Sequence, residues 1–159
     1  MKSLRVASFA AAFIVAAVHP AAPAHAEAPQ PATLATAADL HNVLGGTWSV
    51  TADEAGSLLG EEAEGFRMVR VEVVAVHPND MTLDQLVPAY REEGEVVDEL
   101  TDIGRPAMYR PQYGAATAET TDDNSGERFR LFITVYNIDD VDERKAVAVA
   151  LLRNAVTRL

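Results

Sequence analysis

Residues 66–77 read FRMVRVEVVAVH, and this stretch decides the fold. Successive side chains of a β-strand point to opposite faces, so alternate positions share one face. The central positions of one set are wholly apolar: Val69, Val71, Val73 and Ala75. The other set is also mostly apolar, with Arg70 and Glu72 as its charged members. Two largely apolar faces predict a central strand that is covered on both sides.

The second half of the chain carries β signals from residue 96 to residue 137. Its best strand is Glu127–Asn137 (ERFRLFITVYN), which alternates apolar and polar residues. The preceding Asp122–Gly126 has the Asp, Asn and Gly of a hairpin loop. Ala107–Arg110 and Gly114–Thr121 are predicted as further strands. We therefore expect a meander of antiparallel strands in this half.

Upstream of the central strand, the pattern changes within a few residues. Thr36 is placed to cap a helix over residues 37–44, which Gly45-Gly46 would end. Thr47–Thr51 alternates like a strand. Residues 53–65 are acidic and interrupted by glycine, so they are predicted to form a loop.

Two more helices follow from their end signals. Thr82-Leu83-Asp84-Gln85 matches a capping box, and that helix should run towards Glu93 with a kink or break at Pro88. Acids in Asp139–Glu143 favour the start of a C-terminal helix, since its dipole stabilises negative charge there. The apolar stripe of this helix is predicted at Val149, Leu152, Val156 and Leu159. The fold class is therefore α+β, with an antiparallel sheet flanked by helices.

The N-terminal residues have the features of a secretory signal peptide. Lys2 and Arg5 precede an apolar run from Val6 to Val18, and Ala24-His25-Ala26 supplies the small-residue cleavage pattern. The run is shorter than the roughly 20 residues that span a bilayer, so we expect cleavage and no stable membrane insertion. The predicted organisation is a signal peptide at 1–26, a flexible lead-in at 27–35 and a single domain at 36–159, in a periplasmic or secreted protein.

The remaining chain is strongly acidic and has no cysteine. Without Lys2 and Arg5, 11 basic residues face 24 acidic ones. A negative surface repels phosphate backbones, which disfavours nucleic acid as a partner. The absence of cysteine excludes thiol catalysis, disulfides and thiolate metal sites.

Several stretches resemble the PsbP-like superfamily, a fold shared by the extrinsic photosystem II subunit PsbP and a Ran-GTPase-binding release factor. The stretches are VEVVAVHPNDMTLDQLV, the turn Gly104-Arg105-Pro106-Ala107, and FRLFITVYNIDDVDERKAVAVALLRNAV, preceded by Gly46–Val50 (GTWSV). Together they extend over most of residues 46–159. The resemblance implies an α/β/α sandwich and an accessory or interaction role that is not enzymatic, and it carries over no catalytic residue.

Acidic residues provide weak candidates for a metal site. Asn137, Asp139, Asp140 and Asp142 supply hard oxygen atoms of the kind that bind Ca²⁺. The same acids are equally suited to capping a helix, which requires no metal. The sequence favours capping, so we expect no cofactor, with Ca²⁺ as the ion to test.

Histidine does not provide a catalytic motif. His77 lies close to Asp80 and could act as a base, but no serine lies in a G-x-S-x-G nucleophile elbow. A histidine that stabilises the turn before Pro78 is the favoured interpretation. A hydrolase that uses His77 is left as a minor alternative.

Tyr109, Arg110 and Tyr113 are the candidate partner-binding residues. They flank Pro111 in a segment that we expect to be exposed between two strands. Tyrosine and arginine anchor interfaces because each combines apolar contact area with a directed polar group. A strand corner with ordinary tyrosines is the alternative.

These observations predict an exported, non-enzymatic binding or accessory module whose partner is a protein of the cell envelope. The alternative is a carrier of a small ligand or divalent metal, held in a pocket between the sheet and a helix.

Overall fold

The computed structural model describes residues 28–53 and 56–159, and one seven-stranded antiparallel sheet organises them. The strand order across the sheet is β1-β2-β3-β7-β6-β5-β4. The helices are α1 (Pro31–Leu34), α2 (Ala37–Leu44), α3 (Leu83–Glu92) and α4 (Val141–Val156). The strands are β1 (Trp48–Ala52), β2 (Leu58–Glu62), β3 (Met68–Val76), β4 (Asp98–Glu99), β5 (Ala107–Arg110), β6 (Ala115–Thr121) and β7 (Arg128–Tyr136).

The predicted α+β class, with an antiparallel sheet flanked by helices, is confirmed. Helices α1, α2 and α4 pack on one face of the sheet and enclose the main core with the inward side chains of β3 and β7. Helix α3 lies on the other face, where it forms a smaller cluster with Met108 of β5 and Val97. The predicted hairpin at Asp122–Gly126 joins β6 to β7.

Local capping fixes where the helices begin. The Thr36 side chain accepts a hydrogen bond from the backbone N–H of Asp39, whose carboxylate accepts one from the Thr36 N–H at 2.8 Å. At the start of α3 the Gln85 side-chain oxygen accepts a hydrogen bond from the Thr82 N–H at 2.9 Å, which is one half of the predicted capping box. Pro88 lies inside α3 without ending it, so of the predicted kink or break the break is wrong.

The buried face of α4 differs from the predicted stripe. Leu152 and Val156 are buried as expected, but Val149 and Leu159 are only partly buried. The buried side chains form pairs of adjacent positions: Val147, Ala148, Leu151, Leu152, Ala155 and Val156. The alanines, both fully buried, allow the helix to approach β6 and β7 closely.

Two segments expected to be irregular are structured. Residues 53–65 contain β2, because Leu58 is a core residue and Gly60 leaves room for Leu40 of α2. The predicted lead-in contains α1, and Leu34 is 1% exposed against the core, so a lead-in that extends to residue 35 is wrong. In contrast, residues 96–103 contribute only the two-residue strand β4.

The two faces of the central strand β3 are covered to different extents. Val69 and Val71 are buried on one face, whereas on the other face Val76 is buried and Val74 is half exposed. Helix α3 lies over β5 instead, so the prediction that both faces of β3 are covered holds only in part. The predicted signal peptide lies outside the described residues, and no helix within the described ranges is long and apolar enough to cross a bilayer.

Candidate partner-binding surface

Exposed apolar side chains are concentrated at one end of the sheet. Met68 lies opposite Tyr136, and Ala115 lies opposite Arg110, so β3 and β6 begin where β5 and β7 end. Helix α4 begins just beyond β7. Seven large apolar side chains are exposed in the described residues, and five of them flank this end: Phe66, Val96, Tyr113, Tyr136 and Val141. We call these five residues the sheet-end surface.

Hydrogen bonds connect the chain segments that carry this surface. The Asn137 side-chain amide donates to the carbonyl of Phe66, and the N–H of Val135 donates to Gly114 O at 3.0 Å. Arg144 of α4 donates to Pro111 O at 3.3 Å. The exposed residues therefore stand on segments that are tied to one another.

A stacked arginine organises the part of the surface around Tyr113. The Arg110 guanidinium carbon lies 4.4 Å from the ring centroid of Tyr90 and 4.1 Å from that of Tyr113. Glu95 lies 3.0 Å from Arg110 and also accepts a hydrogen bond from Gln112 at 2.8 Å. Cation–π contacts and the ion pair hold the Tyr113 ring in a fixed position while leaving it 52% exposed.

Tyr109 is not part of this surface, and its predicted exposure is wrong. Neighbouring residues of a strand point to opposite faces, so Arg110 points to the face that carries α3 and Tyr109 points into the main core. Its side chain is completely buried, and its hydroxyl has no hydrogen-bond partner among the described residues. Lys145, paired with Asp98 at 2.9 Å, lies 6.0 Å from the Tyr109 ring. Tyr113 and Arg110 remain as candidates for direct contact.

Gly114 is required for the position of Tyr113. Its φ is +61°, and a Cβ there would lie 2.6 Å from the Val135 carbonyl oxygen.

Gly104 also has a positive φ, +79°, but open space around it. We expect Gly104→Ala to lower the free energy of unfolding by about 1 kcal/mol through backbone strain alone. Gly114→Ala should lower it by about 2 kcal/mol because the contact is added. Urea denaturation measures both, and equal losses would contradict the proposed close contact.

A groove between α2 and α4 adjoins the sheet-end surface. It has a volume of about 500 Å³, and its lining includes Val43, Leu44, Ala146 and Ala150. Arg67, directly after Phe66, also lines it. Arg67 Nε donates to Glu62 at 2.9 Å, and this hydrogen bonding holds the pKa of the Glu62 carboxyl below its usual value. The Arg67 charge is thus neutralised within the protein.

The candidate metal ligands lie at the same end but are not assembled into a site. Asp140 caps α4, accepting a hydrogen bond from the Glu143 N–H at 2.8 Å. Asp139 and Asp142 are exposed. Within the described ranges, no group of three or more His, Asp or Glu side chains could hold a metal ion. The capping role predicted for these acids is confirmed for Asp140.

His77 lies in the turn after β3, as predicted. The His77 ring accepts a hydrogen bond from the Asn79 N–H at 3.3 Å, and the backbone N–H of His77 donates to the Asp80 carboxylate at 3.1 Å. His77 also borders an open cleft of about 810 Å³ at the opposite end of the sheet, beside Arg128 and Phe129. A smaller hollow of about 330 Å³ lies between α3 and the start of β5.

Sequence reasoning missed four of the five surface residues. Phe66 and Tyr136 were assigned to strands, where an apolar residue is expected to be buried, and both lie at or just beyond a strand end. Val96 lies two residues after Gly94, and Val141 directly follows Asp140, and both Gly94 and Asp140 are helix-end signals. An apolar residue within two positions of such a signal was the available indication of exposure.

Comparison with known proteins finds no relative. No family model matches the chain, and no curated protein or solved structure is significantly similar to it.

Proposed function

We propose that this chain is an exported, non-enzymatic binding module that engages a protein partner in the cell envelope through the sheet-end surface. The observation that carries the proposal is that, of the seven large apolar residues exposed in the described ranges, five lie at one end of the sheet. Scattered surface hydrophobics need no explanation, whereas a concentration of them marks an interaction site. Export rests on the signal-peptide pattern of residues 1–26, and an accessory role is what the PsbP-like resemblance implies.

Part of the sheet-end surface is preorganised for binding. Tyr113 is already held against Arg110, so little side-chain entropy is lost when a partner covers it. Phe66 is 89% exposed and gains most from being covered. Tyrosine and arginine at the centre of an interface commonly dominate its energy.

The test is recovery of a partner by variants of the protein. We expect Phe66→Ser with Tyr113→Ser to abolish recovery of a crosslinked partner from envelope extract while the protein stays folded, because both side chains are exposed. The matched control is Val74→Ser with Met81→Ser, which removes two large apolar side chains that are exposed away from this end. Equal recovery by both double variants, measured by quantitative mass spectrometry, would contradict the proposal.

A second candidate is a carrier of a small ligand or divalent metal. The hollow of about 330 Å³ between α3 and β5, lined by Leu83, Val87 and Arg105, favours it, because such volumes accommodate small molecules. Native mass spectrometry of the purified protein and equilibrium dialysis against Ca²⁺ test it. A stoichiometric bound species would favour the carrier, and its absence from both measurements would contradict it.

A further inference from the structure

The charges around the sheet-end surface are predominantly negative and unpaired. In the described part of the chain, six acidic side chains at this end form no ion pair: Glu64, Glu92, Glu93, Asp139, Asp140 and Asp142. The basic residues here are mostly occupied, since Arg67, Arg110 and Lys145 each pair with a carboxylate. The apolar surface is therefore framed by negative charge that the protein itself does not neutralise.

The adjoining groove adds a place for apolar side chains of a partner. Its wall residues are aliphatic, and Glu143 lines it two residues beyond Val141 of the sheet-end surface. A partner segment that covers the exposed aromatics can thus insert a side chain between α2 and α4. A partner that is complementary to the surface and the groove has aliphatic side chains at the centre of its contact area and positive charge at the edge.

We infer that the sheet-end surface and the α2–α4 groove bind a basic amphipathic segment of a partner protein, one in which lysine or arginine accompanies leucine-like side chains. The inference rests on the proposed function and names its partner class. A second copy of this chain fits poorly, because it would bring the same unpaired acids face to face. The apolar residues provide the contact area, and the acidic residues favour a basic partner over an acidic one.

Three synthetic peptides of equal length test the inference: an amphipathic leucine–lysine helix, its leucine–glutamate counterpart and a serine–lysine peptide. Binding to the purified protein is followed by fluorescence anisotropy. We expect the leucine–lysine peptide alone to bind, and more weakly at higher salt because exposed charges are screened. Equal binding of the leucine–glutamate peptide would overturn the charge argument. Equal binding of the serine–lysine peptide would overturn the role of the apolar surface.

Charge variants locate the binding. Asp139→Asn with Asp142→Asn should weaken binding of the leucine–lysine peptide by about tenfold, roughly threefold for each exposed charge. Asp84→Asn is the matched control, since Asp84 also lies in the first turn of a helix but at the opposite end of the sheet, and it should leave affinity unchanged. Equal weakening by both would place the peptide elsewhere and overturn the inference.

The outcomes separate this inference from the proposed function. If no peptide binds, but Phe66→Ser with Tyr113→Ser still abolishes partner recovery, the partner class is wrong and the proposed function stands. If partner recovery is also unaffected, both fail. A dimer in analytical ultracentrifugation that Phe66→Ser dissociates would overturn the inference in favour of self-association.

Discussion

Replacement of Tyr109 by alanine is expected to lower the free energy of unfolding by about 3–5 kcal/mol, the range for deleting a large buried aromatic side chain. Tyr109 is completely buried in the main core, where Ala107, Ala116 and Ala118 are small neighbours in the cluster or on the paired strand. These alanines lie on strands and have only a methyl side chain, so they cannot fill the space that the ring leaves. A cavity should persist, and urea denaturation monitored by circular dichroism measures its cost.

Tyr109→Phe is the matched control for that variant. It keeps the ring and removes only the hydroxyl, which has no hydrogen-bond partner in the described part of the structure. A buried polar group without a partner does not stabilise the folded state, so Tyr109→Phe should leave stability unchanged or raise it by up to about 1 kcal/mol. A loss above 1 kcal/mol would show that the hydroxyl is hydrogen bonded.

Replacement of Tyr109 therefore tests the stability of the core, whereas replacement of Tyr113 tests binding at the surface. A double replacement of Tyr109 and Tyr113 would unfold the core and remove a surface ring together, so a loss of binding could not be interpreted. Tyr113→Ser alone, with Tyr109 kept, isolates the surface. Strand alternation across β5 decides this division of roles.

Local sequence signals predicted the fold elements well where a short-range rule governs them. The capping residues Thr36 and Thr82 fix two helix starts, and the alternation in β7 buries Phe129, Leu131, Ile133 and Val135 as predicted. β2 was missed because its pattern is short and contains Gly60, which weakens a strand signal. Gly60 is explained only by Leu40 of α2, a contact that depends on tertiary structure.

The candidate site was predicted less well, for a physical reason. The segment 109–113 was identified from residue type, but which residue faces solvent depends on the phase of a four-residue strand. Phe66 and Val141 join the same surface only because the antiparallel register brings the start of β3 and the end of β7 together. Such a juxtaposition between distant parts of the chain leaves no local pattern to read.

Arg158→Ala is the second variant from which we expect a large loss of stability. Arg158 donates to both carboxylate oxygens of Asp39, at 2.7 and 2.6 Å, and to Leu34 O at 2.9 Å. It thereby ties the C-terminal end of the chain to α1 and α2. The Asp39 residue is 8% exposed, so removing the arginine leaves a nearly buried charge without its partner. Because the Arg158 side chain is 37% exposed, we expect about 3 kcal/mol, the lower end for such pairs.

Arg153→Ala is the matched control at pH 7. Arg153 also lies near the end of α4 and pairs with Asp102, but both side chains are largely exposed. Exposed pairs contribute about 0–1 kcal/mol, so this variant should be close to wild type. If the two arginine variants lose similar free energies of unfolding, the burial of Asp39 does not determine the strength of the Arg158–Asp39 pair.

The dependence on pH distinguishes the ion pair from simple packing by the Arg158 side chain. The hydrogen bond from Arg158 holds the pKa of the Asp39 carboxyl well below its usual value, despite the opposing effect of burial. A carboxyl whose pKa is lowered by folding stabilises the protein above its unfolded pKa of about 3.9, and this contribution is lost as the pH falls towards the folded pKa. The loss caused by Arg158→Ala should therefore be greatest near pH 7 and shrink below about pH 4. Denaturation at pH 7, 4 and 3 measures it, and a loss that is constant with pH would assign the effect to packing of the arginine stem alone.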